Sequence, residues 1–312
     1  MVFNPLRSGT RNVWIAYPPG MERVVTLSTG IEIAIDDVGT GPAVVMIHGW
    51  PETKFSWRHQ LPALAAAGYR AVALDCRGYG GSSKPAGVGA YGLGEVVGDL
   101  VELLNGERLE SPVLVGHDWG SIVMWTAAVL HPARFRALVS LNVPYRGWCV
   151  GFPRTDYIRE HLAERFGYVL YFQEEGPAEA SFAADPDSFL GRVYSSMAQD
   201  PEFMAPEDFA VYRDAFVAGG IGGPLNYYRN IDANHDALAE FENAPIELAT
   251  LVLAADSDPV LPPTLIEGME RWVPDLSVVP ISNCGHWTQQ EQPEQVNAVL
   301  LDFLAGLSAR AP

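Results

Sequence analysis

Cysteine is scarce in this sequence. Cys76, Cys149 and Cys284 are widely separated, odd in number, and lack the paired spacing of a metal site or a disulfide framework. That usage fits a reducing compartment, and a cytoplasmic protein is expected. Basic residues are also few: 20 Lys and Arg stand against 38 Asp and Glu, a formal net charge of −18. Such a balance favours solubility and disfavours phosphate-rich polymers and anionic lipid, so neither nucleic acid nor a membrane is expected as a partner. No apolar run reaches the roughly 18 uninterrupted residues that a membrane helix needs. The N-terminus holds Pro5, Arg7, Arg11, Pro18 and Pro19 but no apolar stretch leading to a small-residue cleavage site. Residues 1–21 therefore read as an irregular arm and not as a signal peptide. There is no internal repeat and no low-complexity tract.

What the chain does have is length and apolar content: 312 residues, 48% hydrophobic, suit one large α/β domain or a core with an inserted lobe. Strand-like runs at Val24 to Ser28 and Ile31 to Asp36, punctuated by Thr29-Gly30 and by Gly39-Thr40-Gly41, predict a hairpin. Ala43 to Ile47 is continuously apolar, as a strand covered on both faces would be. Helical spacing at Trp57, Leu61 and Leu64, a strand at Ala71 to Leu74, and a helix through Val97, Leu100, Val101 and Leu104 continue the pattern. After the apolar run starting at Val113 come a largely buried helix (Ile122, Val123, Trp125, Thr126, Val129) and a strand at Ala137 to Asn142. This alternation predicts parallel βαβ units. From about Pro144 to Pro245 no convincing strand occurs, and aromatic-rich helical segments broken by Gly176-Pro177 and by Gly219 to Pro224 predict a helical cap over 144–245. The βα rhythm resumes at Thr250 to Ala255, with a helix near Leu265 to Trp272, a strand at Ser277 to Pro280 and a last helix carrying Val296, Val299, Leu300, Phe303, Leu304 and Leu307 on one face. The expected organisation is an arm (1–21), an α/β core (22–143 and 246–312) and the cap.

The core is organised around Val113-Leu114-Val115-Gly116-His117-Asp118-Trp119-Gly120-Ser121. The pattern small-x-nucleophile-x-small-small is a nucleophile elbow, in which strand and helix approach too closely for larger side chains. The nucleophile position holds Asp118 in place of Ser. A carboxylate of ordinary pKa, about 3.9, is already ionised at neutral pH and suits attack at an sp3 carbon. The product of that attack is an alkyl ester, which a second step must hydrolyse with base-activated water. The plainer alternative is that Asp118 only N-caps the helix that follows.

A base and its orienting acid are expected downstream, and Asp258 in Asp256-Ser257-Asp258-Pro259 and His286 in Gly285-His286-Trp287 supply them in the order nucleophile, acid, histidine. Each follows a predicted strand, where open α/β sheets place their sites; Asp256 is the runner-up acid. His48-Gly49-Trp50-Pro51 closes the third strand, so the backbone N–H of Trp50 and that of Trp119, next to the nucleophile, are the candidate oxyanion donors.

With His48-Gly49-Trp50-Pro51-Glu52, Gly78-Tyr79-Gly80, Gly116-His117-Asp118-Trp119-Gly120, Gly223-Pro224-Leu225-Asn226-Tyr227-Tyr228-Arg229-Asn230 and Gly285-His286-Trp287-Thr288, the chain resembles the epoxide hydrolases of the α/β-hydrolase superfamily from about Glu22 to Leu307. The resemblance implies the α/β-hydrolase fold, hydrolysis of a small apolar epoxide to a vicinal diol through an aspartyl ester, no metal or organic cofactor, and a cis Trp50-Pro51 peptide. It also implies that Tyr168 and Tyr228 donate hydrogen bonds to the epoxide oxygen from the cap. Spacing alone does not choose them over Tyr171 and Tyr227. The hydrolase pattern starts near residue 22, so the N-terminal phosphatase domain of mammalian relatives, and lipid phosphatase activity, are not expected. Ser121 stands where relatives often have glycine, with no expected effect on the elbow. A haloalkane dehalogenase would use the same nucleophile and base, with Trp119 as one halide donor, and a non-catalytic ligand-binding relative is the remaining alternative. A homodimer is left open.

Overall fold

Six short runs of β-branched and aliphatic residues make the parallel centre of the molecule, described here from a computed structural model that covers residues 22–147 and 151–309. The expected arm at 1–21 lies outside the described residues. Antiparallel strands β1 (Glu22–Thr26) and β2 (Glu32–Val38) form the expected hairpin, and β2 pairs antiparallel with β4 (Arg70–Leu74). Next to β4 run β3 (Ala43–Ile47), β5 (Val113–His117), β6 (Ala137–Leu141), β7 (Ala249–Ala255) and β8 (Leu276–Ile281), all parallel, giving the eight-stranded order β1-β2-β4-β3-β5-β6-β7-β8. The α/β-hydrolase fold is thus present.

Side chains alternate across each strand, and β3 shows how this builds two cores. Val44 and Met46 face one layer, where Leu61 and Leu64 of α1 (Gln60–Ala66) and Val296, Leu300 and Leu304 of α11 (Pro293–Ala309) pack. Val45 and Ile47 face the other, against α2 (Leu93–Gly106) and α3 (Trp119–Leu130). Residues Trp119 to Ala128 of α3 are all buried, as an all-round apolar helix must be.

Between β6 and β7 every described element is helical. A short α4 (Thr155–Tyr157) runs through a wide turn at Ile158–Leu162 into α5 (Ala163–Tyr171); α6 (Pro177–Ala184), α7 (Pro186–Met197), α8 (Pro206–Gly219), α9 (Gly222–Arg229) and α10 (Ile231–Ala237) follow. Proline at the first position of α6, α7 and α8 starts each without losing a needed N–H. Side chains tie this layer to the α/β core: Arg58 pairs with Asp208 at 3.0 Å, the Tyr212 hydroxyl donates to Gln290 at 2.9 Å, and the Asn234 side-chain oxygen accepts from the Leu93 N–H at 2.9 Å.

Two helical expectations differ from what is found. The stretch around Leu265 to Trp272 forms two single turns, Pro263–Ile266 and Met269–Arg271, because Gly268 between them takes a left-handed conformation (φ +83) that no helix continues through. The spacing Trp57, Leu61, Leu64 belongs to a turn at Lys54–Trp57 followed by α1.

Candidate active site

Small residues at the bend between β5 and α3 are required by contact. A Cβ on Gly120 would strike the carbonyl oxygen of Ile47, and one on Gly116 would lie 2.5 Å from the Ser121 Cα. Ser121 is itself accommodated, its buried hydroxyl accepting from that of Ser140 at 2.9 Å. Between them Asp118 adopts φ +49, ψ −122, a region that non-glycine residues rarely occupy. Its side chain makes no capping bond to α3, so the plainer capping reading does not describe it. Oδ1 accepts the backbone N–H of Trp50 at 2.8 Å, and the N–H of Trp119 also reaches the carboxylate. The Trp50-Pro51 peptide is cis.

His286 lies between two carboxylates. Nδ1 is 2.8 Å from Oδ2 of Asp258, while Nε2 is 3.9 Å from Oδ2 of Asp118. Asp258 is fixed in turn: Oδ1 accepts the N–H groups of Val260 (2.8 Å) and Leu261 (2.9 Å). The runner-up acid Asp256 points elsewhere, holding the N–H groups of Asn283 and Cys284 at 3.0 and 3.1 Å.

These surroundings set the charges. Burial disfavours the ionised form of Asp118 and raises its pKa, opposed by His286, His117 and the two N–H donors. Burial also opposes charge on His286, but Asp258, its hydrogen bond and Asp118 outweigh that, and the imidazolium pKa is pushed up to about 9. For Asp258 burial acts upward, yet His286 and the two backbone donors hold the carboxyl below its usual range.

Tyr168 on α5 and Tyr228 on α9 line the same cavity of about 50 Å3 as Trp50, Asp118, Phe172, Val193, Met197, Val260 and His286. Their rings meet edge to face at 5.9 Å. Burial, and then the nearby Asp118 charge, push both phenols well above their ordinary pKa, so both remain proton donors. Neither of the other two tyrosines lines this cavity: Tyr171 is 44% exposed, and the Tyr227 hydroxyl donates to the Arg77 carbonyl at 2.9 Å. A larger open depression of about 600 Å3, lined by Pro153, Arg154 and Glu160 among others, shares no residue with the cavity over Asp118.

Two hubs behind the site carry no role that sequence reasoning assigned. Asn142, at φ +66 just beyond β6, donates from Nδ2 to Asp258 Oδ2 (2.9 Å) and the His286 carbonyl (3.0 Å), and accepts from Thr288 and from the Ala255 N–H. Glu52, fully buried, receives His117 Nδ1 at 2.8 Å and the amides of Gln289 and Gln290 at 2.8 and 2.7 Å, while His117 Nε2 lies 2.8 Å from the His286 carbonyl. Partners so distant along the chain leave no local signal in the sequence. Among the described residues no group of three or more His, Cys, Asp or Glu side chains is placed to hold a metal.

Comparison with known proteins agrees with this architecture. Residues 42–293 match the family model described as alpha/beta hydrolase fold. The chain is 37% identical to Epoxide hydrolase A of Mycobacterium tuberculosis, over 93% of this chain and 98% of that protein. It is 36% identical to Bifunctional epoxide hydrolase 2 of Sus scrofa over 90% of this chain, but spans only 54% of that longer relative. The crystal structure of Epoxide Hydrolase A from Mycobacterium thermoresistibile superimposes with a TM-score of 0.83 at 35% identity, covering 91% of this chain and 98% of that one. By fold, by sequence and by structural likeness, the chain belongs to the epoxide hydrolases of the α/β-hydrolase fold family.

Proposed function

We propose that this chain hydrolyses an epoxide to a vicinal diol in two steps, with an ester on Asp118 between them. One observation carries the reading: a carboxylate, two protonated phenols and an imidazole line one small cavity. Asp118 attacks a ring carbon through Oδ2, since Oδ1 is engaged by the Trp50 N–H. The carbon–oxygen bond of the ring breaks, its electron pair goes to oxygen, and Tyr168 and Tyr228 donate hydrogen bonds and a proton to that oxygen. His286, oriented by Asp258, then takes a proton from water, which attacks the ester carbonyl. The 3.9 Å from Nε2 to Oδ2 is too long for a direct hydrogen bond and suits a water bound between them. The tetrahedral oxyanion is held by the N–H groups of Trp50 and Trp119; on its collapse the His286 imidazolium returns its proton to the departing diol oxygen, and the proton left on the Asp118 carboxyl goes to the tyrosinate, which restores Asp118, His286 and the phenol. A dehalogenase has no use for the two phenols.

The helices between β6 and β7 support assigning 144–245 to a cap over a core made of 22–143 and 246–312. Among the described residues no helix is long and apolar enough to cross a membrane. The cytoplasmic placement we propose rests on the cysteine usage.

A single-turnover experiment with excess enzyme in oxygen-18 water tests the route. The ester path puts an unlabelled Asp118 oxygen into the first diol and the label into Asp118. Label in the diol from the first turnover would mean direct attack by water and would overturn the mechanism.

A further inference from the structure

The cavity over Asp118 is small, and its wall is of two kinds. At about 50 Å3 it is about a third of the 150 Å3 that accommodates benzene in an engineered protein cavity. It therefore seats an epoxide ring but little more, and a longer substituent has to leave it. One side of the wall is buried and aromatic. Trp50, Phe172 and Tyr228 are 4%, 5% and 1% exposed, and edge-to-face contacts hold them: Trp50 to Phe172 at 6.0 Å, Trp50 to Phe216 at 5.5 Å and Phe172 to Tyr228 at 5.2 Å. The other side is less buried: Val193 and Met197 of α7, Val260 beside Asp258 and the donor Tyr168 are each only partly buried, and the first three of these are aliphatic.

Resting on the epoxide reading above, we propose that the site takes terminal epoxides, whose single uncharged hydrocarbon substituent leaves between Val193, Met197 and Val260, with Met197 setting the bulk that passes. A second substituent on the far ring carbon would have to displace the locked aromatic wall. No charged side chain stands among the three mouth residues, so a polar or ionic substituent gains no partner there. Of the three, Met197 is the adaptable one, an unbranched thioether that yields to its neighbours. Its backbone serves a separate purpose. The Met197 carbonyl accepts the His286 N–H at 2.9 Å, so side-chain replacement leaves that link in place.

Two isomers of one formula make the test. For 1,2-epoxyhexane against trans-2,3-epoxyhexane, kcat/KM of the full chain should favour the terminal isomer by about tenfold or more, the scale on which a hydrophobic pocket discriminates single carbons. Met197→Trp should lower the ratio of 1,2-epoxyoctane to propylene oxide turnover by about tenfold, and Met197→Ala should raise the ratio of styrene oxide to propylene oxide. The alanine variant serves alone if the tryptophan variant does not fold. Equal use of the two isomers, or ratios unmoved by the folded Met197 variants, overturns this inference while leaving the epoxide reading intact. A chain that opens neither isomer nor propylene oxide overturns the epoxide reading, and this inference with it.

Discussion

The backbone N–H of Trp50 donates to Oδ1 of Asp118 at 2.8 Å, across 68 positions of sequence. The bond joins the turn after β3 to the turn after β5, and it decides which carboxylate oxygen faces the cavity. Gly49 makes that approach possible, since a Cβ there would stand 2.5 Å from the same oxygen. Gly49→Ala should displace the carboxylate and lower kcat by about 100-fold, the cost of misplacing a reacting group by about 1 Å. Steady-state kinetics on a terminal epoxide reads the loss, and circular dichroism checks that the sheet persists. Unchanged kcat would mean that the position of Oδ1 does not matter to the reaction.

The paired phenols lead to a graded expectation. Tyr168→Phe or Tyr228→Phe removes one of two donors to the leaving oxygen, and the double variant removes both. The double variant should lose about 10^2 to 10^4-fold in the rate of ester formation, the share that positioned acids supply, and each single variant less. Tryptophan fluorescence in stopped flow measures that step, because Trp50 and Trp119 adjoin the cavity residues. Tyr171→Phe, exposed on the outer side of α5, should match the parent.

Much of this site was legible in the sequence because its members sit where short local patterns put them. Glycines around Asp118, strands before Asp258 and His286, and the turn His48-Gly49-Trp50-Pro51 each announce a strand end, and parallel strands bring all such ends together. The choice of Tyr168 and Tyr228 over Tyr171 and Tyr227 was different. Residues 168 and 171 share a helix face, and only the packing of α5 and α9 over the sheet decides which of each pair lines the cavity, Tyr227 being buried against Arg77 instead. That choice came from family likeness and not from spacing. The hubs at Asn142 and Glu52 were illegible for a stricter reason: their partners lie 116 and 237 positions away, and such pairings exist only once the sheet is built. The broken helix around Gly268 shows the reverse failure, in which apolar spacing suggested continuity and one left-handed residue ended it.

Removing the base should divide the two steps. His286→Gln keeps a hydrogen-bonding side chain beside Asp258 but cannot accept a proton from water, so Asp118 should still attack and the ester should persist. Intact mass spectrometry after mixing with a terminal epoxide should show the protein heavier by one substrate. Multiple turnover without an adduct would remove His286 from the mechanism.

Acidity offers the last test, because the charge on His286 depends on Asp118. The imidazolium pKa, about 9, stands above the ordinary value of about 6.5 through Asp258 and, 3.9 Å away, Asp118. Since the folded value is the raised one, the stability this contributes is fully present below about pH 6.5 and is lost as pH rises through about 9. The melting temperature should therefore fall more between about pH 6.5 and 9.5 in the parent than in His286→Gln. The same coupling times the chemistry. While Asp118 is a carboxylate it favours imidazolium; once it is an ester its charge is gone, the pKa of His286 drops, and a neutral base is released when hydrolysis needs one. Asp118→Asn mimics that loss of charge, so NMR titration of the His286 ring should give a lower pKa in this variant than in the parent. An equal or higher value would show that Asp118 does not govern the base, and the release of the base would need another cause.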